Sequence, residues 1–558
     1  MSDPQHIPVA IVGGGPVGLL LALFLDRYGM RSVIFNTEAE VRPHPKGSSH
    51  NSRTMEHHRR LGIAQKIRSF SLPTDRPTDV TYLTRLNGWE LARLRMPSEN
   101  EKQSTVANSS VTHQVPEPIL RANQMYVEAF LLAHARTRPN ITVRFGWQID
   151  KFEDDADGVT VAAEAVTGAT KGTRETWRAQ YLVGCDGGRS FVRRSLALRY
   201  HGFAKLDAPH YGGRMIATHM RAPTLYKEFL KHRHGWQYWT VNGDARATII
   251  SLRGDEEFLV FSKGRDDSEA PPTDDAMEKH IRRAVGADVP LKMLDHRLWT
   301  AGIALVAEHF IAGRVVLAGD AAHLFTPTGG FGMNTGMDDT SNLSWKLAAT
   351  LQGWGGKGLL QTYESERRPV AERNTLAARH LNVHLASVSV PDAIEKDSSD
   401  GEAARKHVSA QFSTLGEEFA SLGVQLGARY DGSPIIVADG APPTDDYVRY
   451  TPSSVPGGRM PHFWMDAGRG YGSSVFDRLP FGFTLLRLGD RAPNTDAIVA
   501  AARKRGIPFD ALDIASRDVR DLYECNLVLL RPDQYIAWRG NDLPSDVDHL
   551  LSRVTGAT

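Results

Sequence analysis

The first forty residues contain the feature that most restricts the fold of this chain. A short apolar run at 7–12 (IPVAIV) ends in the motif Gly13-x-Gly15-x-x-Gly18, and a helical stretch and a second apolar run (RSVIF) follow. A strand, a glycine turn, a helix and a second strand within about thirty residues form a βαβ unit. Such a unit requires a parallel sheet with helices on its faces. The sequence therefore predicts an α/β protein with a Rossmann-like domain.

The three glycines of this motif have separate roles in a dinucleotide site. Gly13 permits a tight turn, Gly15 lets the backbone approach a pyrophosphate, and Gly18 lets the helix pack closely on the strand. The helix N-terminus then presents unpaired N–H groups to the phosphates. A glycine turn without a ligand is the alternative for the motif alone, but its context favours a bound dinucleotide. An acid usually contacts the ribose from the end of the second strand; here Asn36 is expected to do so without charge, unless Glu38 replaces it.

Charge and cysteine content exclude several classes of protein. The chain has 558 residues with 66 Lys+Arg and 65 Asp+Glu, a formal net charge of +1, so no positive field predicts binding to nucleic acid or an anionic membrane. Two cysteines are too few for a disulfide scaffold and favour a reducing compartment. An apolar stretch at 9–25 contains a glycine cluster and lacks the flanks of a signal peptide. We expect a cytoplasmic protein without a membrane span.

A second motif lies in the middle of the first half of the chain, at 181–190 (YLVGCDGGRS). A strand that ends at Asp186-Gly187 exposes a carboxylate and backbone amides at the edge of a sheet. Arg193, shortly after it, can interact with a phosphate. A hairpin turn is the alternative for this segment taken alone, because Asp-Gly is a common turn sequence.

A third motif comprises 313–323 (GRVVLAGDAAH) and 327–336 (PTGGFGMNTG). Its strand delivers Asp320 to a strand end, where the carboxylate can accept a hydrogen bond from a ribityl hydroxyl. The glycine-rich loop lets the backbone near Met333 and Asn334 approach a flat ring system, and the helix that follows directs its positive end there. The length and order of this motif favour a ligand site over a purely structural strand–loop–helix.

These three motifs, in this order and spacing, resemble those of the class A (single-component) FAD-dependent aromatic hydroxylases. The likeness spans most of the chain, and the last quarter is similar to the thioredoxin-like C-terminal domain of the phenol and 2,4-dichlorophenol hydroxylase branch. Because this quarter has no Cys-x-x-Cys sequence, we expect a structural or dimer-forming role for it, which is compatible with a homodimer. Further markers of the resemblance are Asn51, Arg53, Glu56, Trp299, Trp345, Lys346, Glu366, Arg367, Arg459, Arg531 and Asp533.

The resemblance and the changes in composition imply a fold of three domains: a Rossmann-like FAD-binding domain, a β-sheet substrate domain, and a C-terminal thioredoxin-like α/β domain. β-type runs within 205–262 predict a mostly antiparallel substrate sheet. The expected segments are an FAD-binding first part at 1–200 with an excursion toward the substrate at about 75–118, the substrate domain at 201–297, the FAD-binding second part with helices at 298–390, a linker at 391–410, and the thioredoxin-like domain at 411–558.

The resemblance implies that FAD is the bound cofactor. NADPH or NADH is expected to bind transiently, because the chain has no second glycine-rich βαβ unit. No metal site is predicted, since the paired histidines at 57–58 and at 380 and 384 lack a third ligand. The cofactor-binding residues implied by the resemblance are Gly13, Gly15, Gly18, Asn36, Lys46, Gln124, Asp186, Asp320, Pro327, Gly332, Met333 and Asn334.

The activity implied by the resemblance is hydroxylation of a phenolic aromatic compound. NAD(P)H reduces FAD, and reaction with O₂ gives a flavin C4a-hydroperoxide that transfers OH to the ring. The protein excludes water and helps the phenol lose its proton, which requires a base or a nearby cation. The alternatives are a catalytically silent flavin-binding or redox-sensing protein, and a flavoprotein that oxidises a non-phenolic substrate. The motifs do not identify the phenol, the ring position or the nicotinamide.

The candidates for contacts to the substrate are weaker than those for the cofactor. His50 is either near the ring or in a solvent-exposed loop, and Arg121 either holds an anionic substrate or pairs with Glu117. The aromatic residues near 236–239 face either the pocket or the core. The predicted catalytic residues are His50, Arg253 and Tyr238, and the predicted substrate-binding residues are Arg121, Gln237, Trp239 and Pro327.

Overall fold

The structure is a computed structural model that describes residues 3–206, 208, 212–264, 270–413, 416, 419, 421–490 and 492–558. Its strands are β1 (Gln5–Val12), β2 (Ser32–Asn36), β3 (Ser49–His50), β4 (Val80–Leu83), β5 (Glu90–Leu94), β6 (Leu120–Arg121), β7 (Ile141–Phe145), β8 (Trp147–Asp155), β9 (Gly158–Ala165), β10 (Arg174–Gly184), β11 (Tyr200–Phe203), β12 (Gly213–Arg221), β13 (Gln237–Thr240), β14 (Ala247–Ser251), β15 (Glu257–Lys263), β16 (Lys292–Ala301), β17 (Ala304–Ala307), β18 (Ile311–Ala312), β19 (Val315–Leu317), β20 (His323–Phe325), β21 (Phe483–Leu488), β22 (Phe509–Ile514), β23 (Leu527–Leu530) and β24 (Ile536–Gly540).

The α-helices alternate with these strands in the first and last parts of the chain. They are α1 (Pro16–Arg27), α2 (Ser52–Arg60), α3 (Ala64–Arg68), α4 (Glu99–Ala107), α5 (Gln124–Arg136), α6 (Phe191–Ser195), α7 (Asp274–Val285), α8 (Phe331–Gln352), α9 (Thr362–Ala386), α10 (Ser399–Ser413), α11 (Leu422–Leu426), α12 (Asp496–Lys504), α13 (Arg517–Tyr523) and α14 (Val547–Val554).

The first domain is built on a sheet with the strand order β18-β19-β10-β1-β2-β7. β1 runs parallel to β10 and β2, and β10 runs parallel to β19. Because the carboxyl ends of parallel neighbours lie at the same edge of a sheet, the three sequence motifs meet there. Helix α1 is buried along nearly its whole length, as expected for the helix of the βαβ unit.

The second domain is a sheet with the strand order β16-β12-β15-β14-β13-β4-β5. Its strands pair antiparallel, except that β13 runs parallel to β4. β4 and β5 come from the segment 75–118 and extend the sheet at one edge. Helix α7 packs on one face through residues such as Ile281, while the other face turns toward the first domain. The mostly antiparallel sheet agrees with the prediction for this region.

The segment at 391–410 is not the linker that the composition predicted. Most of it belongs to helix α10, whose apolar residues Ala404, Val408 and Phe412 are buried in one cluster with Trp239 and Leu259 of the substrate sheet. Polar residues on the other side of the helix give the segment its linker-like composition. The segment therefore forms part of the layer that covers the substrate domain.

The C-terminal domain contains a sheet with the strand order β22-β21-β23-β24, in which β21 and β22 are parallel and the other pairs antiparallel. The element order β21-α12-β22-α13-β23-β24-α14 is that of a thioredoxin-like domain. Trp345 of α8 and Leu359 share an apolar core with Phe483 and Leu527 of this sheet. The predicted three-domain fold class is confirmed.

A second contact between the first and third domains is ionic and buried. Arg459 donates to Glu56 of α2 over 3.0 Å, and Arg53 donates to Glu56 and to the Gln534 side chain, each over 2.9 Å. Glu366 of α9 accepts from Lys346 over 2.6 Å, and Arg531 forms two hydrogen bonds to the same carboxylate. We call these residues, Arg53, Glu56, Lys346, Glu366, Arg459 and Arg531, the ionic interface. Most markers of the family resemblance that carry a charge lie in it.

Candidate active site

The glycine loop after β1 is closed on one side and open on the other. Gly13 has a φ of 112°, and a Cβ there would lie 2.2 Å from the Cys185 carbonyl oxygen, so the loop packs directly against the end of β10. A Cβ on Gly18 would lie 2.0 Å from the Gly13 carbonyl oxygen, whereas a Cβ on Gly15 would meet no atom within 4 Å. Among the described residues, no side chain caps the N-terminus of α1. This open cradle at a free helix N-terminus fits a pyrophosphate.

Asn36 holds this loop from the end of β2. Its Oδ1 accepts a hydrogen bond from the Gly14 N–H over 3.1 Å, and its Nδ2 donates to the Glu38 carbonyl over 3.0 Å. The Glu38 carboxylate forms an ion pair with Arg42 at 2.7 Å. The structure thus shows Asn36 positioning the loop, while a contact from Asn36 or Glu38 to the ribose stays a prediction.

Asp186 follows β10 and helps to form the start of helix α6. Its Oδ2 accepts a hydrogen bond from the Val192 N–H over 3.1 Å. Burial raises the pKa of this carboxyl. The sheet order brings Asp186 beside Gly13, because β10 is the direct neighbour of β1. The second motif therefore forms a wall of the same site rather than a separate hairpin.

Asp320 lies in a short 3₁₀ turn directly after β19 and reaches the shared cleft. Buried Asp339 supports this turn by accepting hydrogen bonds from the Gly319 N–H over 3.1 Å and from His323 Nε2 over 2.7 Å. The protein around the cleft keeps water from the Asp320 carboxyl, which raises the pKa of this group. The positive charge of Lys46 opposes this rise. The carboxylate can accept a hydroxyl hydrogen bond there, as the third motif predicted.

A cavity of about 550 Å³ lies between the first two domains. One end, the flavin end, is bounded by predicted cofactor residues, and the other, the substrate end, by side chains of the substrate sheet and its cover. The flavin end is lined by Lys46, Gln124, Asp320, Pro327, Gly332 and Met333. The substrate end is lined by Ala217, Trp236, Gln237, Ile250, Phe261, Trp299 and Phe419, with Arg121 at its edge.

Asn334 supports the flavin end from behind. Its Nδ2 donates to the carbonyls of Ser49 and Gly330 over 2.8 and 2.6 Å, and its Oδ1 accepts from the Asn51 N–H over 2.9 Å. The side chain ties the glycine-rich loop to the end of β3. Asn334 thus acts as a positioning residue, and the backbone contact to the ring system predicted for it stays a prediction.

Arg121 resolves an alternative that the sequence left open. Its guanidinium lies 4.2 Å from the centre of the Trp236 ring and donates to the Ser49 hydroxyl, at the cavity. Glu117 pairs instead with Arg59 at 2.9 Å and with Arg68. Arg121 is therefore placed to contact a ligand in the cavity rather than to pair with Glu117.

The prediction that His50 is catalytic is corrected by the structure. Successive residues of a strand point to opposite faces, and in β3 it is Ser49 that lines the cavity. The His50 ring is fully buried and lies 5.6 Å from the ring of His58. Burial lowers the pKa of His50 to about 4. His50 belongs to the packing between β3 and α2.

Three predicted residues of the substrate domain also lie outside the cavity lining. Tyr238 points to the α7 face of the sheet, where its hydroxyl donates to the carbonyls of Arg233 and Gly235. Trp239 is buried in the cluster that α10 covers. Arg253 is exposed, with its guanidinium 5.2 Å from the Tyr126 ring. Gln237 and Pro327 do line the cavity.

The sequence did not assign several of the cavity residues to substrate binding. Trp236 belongs to the aromatic run that faces either the pocket or the core, Trp299 of β16 is a family marker without a predicted role, and Phe261 of β15 carries no signal in the sequence. His44 lies in the loop after β2, two residues before Lys46. None of these positions forms part of a motif whose spacing indicates a ligand contact. Only the pairing of strands and the packing of that loop on the sheet bring them together.

Comparisons with known proteins agree with this geometry. A family model described as an FAD binding domain matches residues 6–378, and a second, described as the C-terminal region of aromatic-ring hydroxylases, matches residues 453–558. The chain belongs to the FAD-dependent aromatic-ring hydroxylase family. The resemblance found in the sequence is therefore confirmed, and the chain is a flavoprotein monooxygenase.

Individual members of this family resemble the chain along its whole length. The FAD-dependent monooxygenase apdD of Emericella nidulans is 30% identical, with 98% of this chain and 90% of that protein covered. The 2,4-dichlorophenol 6-monooxygenase of Cupriavidus pinatubonensis is 29% identical, with 96% and 94% covered. The solved structure of RebC soaked with chromopyrrolic acid and holding 7-carboxy-K252c matches with a TM-score of 0.88 and 31% identity over 100% of both chains.

These findings confirm FAD as the cofactor, with NAD(P)H and O₂ as co-substrates. Gly15, the free N-terminus of α1 and Asp320 are suited to hold it. Within the part of the chain that the structure describes, no helix has the length and apolar character needed to cross a membrane.

Proposed function

We propose that this hydroxylase acts on a phenolic aromatic compound that binds at the substrate end of the cavity. The observation that carries the proposal is one continuous cavity with residues of the third motif at one end and aromatic side chains of the substrate sheet at the other. Flat apolar walls favour an aromatic ring over a flexible substrate. The relative named as a dichlorophenol monooxygenase adds support for a phenol.

Polar groups of the cavity are suited to orient such a ring. Gln237 as a whole is 6% exposed, and its side-chain amide forms no hydrogen bond with any described residue. The amide atoms remain accessible from the cavity that Gln237 lines, where a substrate hydroxyl or carbonyl can form hydrogen bonds with them. Arg121, stacked on Trp236, places a positive charge at the same wall, where it favours a phenolate.

The chain itself contributes binding, orientation and exclusion of water. When FAD is bound and reduced by NAD(P)H, it activates O₂ so that one oxygen atom can be transferred to the ring. Asp320, Lys46 and Gln124 hold the cofactor at one end of the cavity, and Gln237 and Arg121 hold the phenol at the other. The aromatic walls keep water from the reacting carbon.

The first test is the anaerobic rate of FAD reduction by NADPH and by NADH, with phenol, 2,4-dichlorophenol, 4-hydroxybenzoate, 1-naphthol and alizarin as the added aromatic compounds. We expect at least one phenol to accelerate reduction, and the same phenol to yield a hydroxylated product in air. Anisole and 1-methoxynaphthalene serve as matched controls without an acidic proton and are expected not to yield product.

The two alternative functions predict different results for this experiment. A silent flavin-binding or redox-sensing protein would show FAD reduction that no aromatic compound accelerates and no hydroxylated product. Equal turnover of the phenols and their methyl ethers would favour oxidation of a non-phenolic substrate. Either result would contradict the proposal.

A further inference from the structure

One titratable side chain of the cavity wall is not part of any cofactor motif. His44 lines the cavity and is 8% exposed. Among the described residues that line the cavity, it carries the one imidazole. Since His50, Tyr238 and Arg253 lie elsewhere, His44 is a candidate for the proton acceptor that the proposed function requires.

His44 is held on the substrate sheet by a carboxylate. Its Nδ1 lies 3.0 Å from Asp295 Oδ2 on β16. Asp295 pairs in register with His219, and the next pair on the same face is Ala217 with Arg297, both of which line the cavity. His44 therefore contacts the sheet at the pair His219–Asp295, which is adjacent on the same face to the cavity-lining pair Ala217–Arg297.

The two ring nitrogens of His44 have different surroundings. Nδ1 is buried and lies close to the Asp295 carboxylate, although without the alignment of a hydrogen bond. Because a lone pair facing a carboxylate would be repelled, the neutral ring carries its proton on Nδ1 and its lone pair on Nε2. Nε2 forms no hydrogen bond with any residue in the described part of the chain. A carboxylate behind one nitrogen and a free lone pair on the other form the arrangement of a general base.

Burial keeps the ring of His44 neutral near pH 7. The pKa of His44 is lowered to about 4, mainly by burial and also by the charges of Arg297 and His219, while the charge of Asp295 opposes this shift. Arg297 donates to Asp295 over 2.8 Å, and the pKa of Asp295 is held below its ordinary value although burial acts to raise it. The ring can therefore accept a proton. A phenolate formed beside it raises its proton affinity at that moment.

We infer that His44, oriented by Asp295, takes the proton of the phenolic hydroxyl of the substrate. This inference rests on the proposed function. The O–H bond of the phenol breaks, its electron pair stays on oxygen, and the proton binds to Nε2. The product is a phenolate with raised electron density on the ring carbons, and an imidazolium stabilised by the nearby Asp295 carboxylate. When the hydroxylated product leaves the cavity, water reaches Nε2, takes up the proton and restores the lone pair.

The test compares His44→Gln with His219→Gln in the FAD-loaded enzyme, using the panel phenol that most accelerates FAD reduction. His219 is the matched control, since it is a buried neighbour that does not line the cavity. For His44→Gln we expect hydroxylation at pH 7 to fall about 100-fold, while phenol-stimulated FAD reduction changes less than about 3-fold. NADPH oxidation then produces hydrogen peroxide in place of hydroxylated product.

The pH profile separates proton transfer from a structural role. In His44→Gln, hydroxylation is expected to rise about tenfold per pH unit toward the pKa of the free phenol, because the phenol then ionises in solution. The profile of His219→Gln should follow that of the unmodified enzyme. Asp295→Asn, which keeps the side-chain shape, should show a smaller loss with the same recovery at high pH.

Two results would overturn the inference. One is hydroxylation by His44→Gln at pH 7 equal to that of the unmodified enzyme. The other is a loss that high pH does not restore, or an equal loss in His219→Gln. Failure of the proposed function differs from both, since in that case the unmodified enzyme itself gives no acceleration and no product with any phenol.

Discussion

The ionic interface and the cavity both bury polar side chains between domains, but they differ in how those side chains are paired. In the ionic interface Glu366 accepts hydrogen bonds from Lys346, Arg531 and Ser433. In the cavity the Gln237 amide and the His44 Nε2 atom have no partner among the described residues. Paired buried groups hold domains together, whereas unpaired ones leave bonds for a ligand. The family markers that carry charge are thus mainly structural, whereas Trp299, a marker without charge, lines the substrate end of the cavity.

Breaking one pair of the ionic interface should give the largest effect on stability. Arg459→Met leaves the fully buried Glu56 carboxylate without one partner. We expect the free energy of unfolding to fall by about 3–5 kcal/mol. Urea denaturation of the FAD-loaded enzyme measures it. The control is Arg174→Met, which removes an exposed pair and should cost less than about 1 kcal/mol. An equal loss of unfolding free energy in the two variants would contradict the conclusion that the ionic interface stabilises the contact between the domains.

At the glycine loop after β1, the largest effect should be on FAD affinity and not on stability. Gly15→Val adds atoms to the open cradle before α1, where no atom of a described residue lies within 4 Å of a Cβ. We expect FAD to bind about 100-fold more weakly, with an unchanged thermal midpoint of the FAD-free protein. Fluorescence titration measures the affinity. Gly243→Val, also at a position with open space around its Cβ, is the control and should keep full affinity.

The ionic interface should also make the protein sensitive to acid. Burial acts to raise the pKa of Glu366, but the charges of Arg531 and Lys346 outweigh it and hold the pKa well below the ordinary value. The stabilisation is thus complete above the unfolded-state pKa of about 4 and is lost as pH falls below it, by up to about 1.4 kcal/mol per pH unit for this group. Thermal midpoints from pH 7 to pH 3 measure this loss. In Glu366→Gln the thermal midpoint should fall less steeply with decreasing pH. An unchanged slope would contradict the role of Glu366 in the acid sensitivity.

The smallest effects should come from the residues that the structure removes from the cavity. Tyr238→Phe and Arg253→Gln should change the hydroxylation rate less than about 2-fold, and Tyr238→Phe should cost about 1 kcal/mol of stability for its lost hydrogen bonds. Product formation and urea denaturation measure the two quantities. A tenfold loss of hydroxylation in either variant would contradict the placement of that residue outside the active site.

The cofactor half of the site could be predicted from the sequence because its residues lie in short motifs next to predicted strands. The glycines of the first motif and Asp320 of the third directly follow buried strands, and parallel pairing of β1, β10 and β19 places those strand ends together. The substrate half required the register of β12 and β16, which decides that Ala217 and Arg297 line the cavity. A strand as short as β3 gives no signal of which residue faces the cavity, so the sequence cannot show that Ser49 lines it and His50 does not.

By itself, the sequence determined the family, the three-domain fold and FAD as the cofactor, since each depends on short motifs with a defined backbone geometry. Only the tertiary structure decided which side chains form the substrate end of the cavity, that 391–410 is a packed helix, and that the charged markers are paired. The physical reason is that these contacts join residues far apart in the chain, such as His44 and Asp295. Their proximity follows from strand pairing and domain packing, which local sequence motifs do not predict.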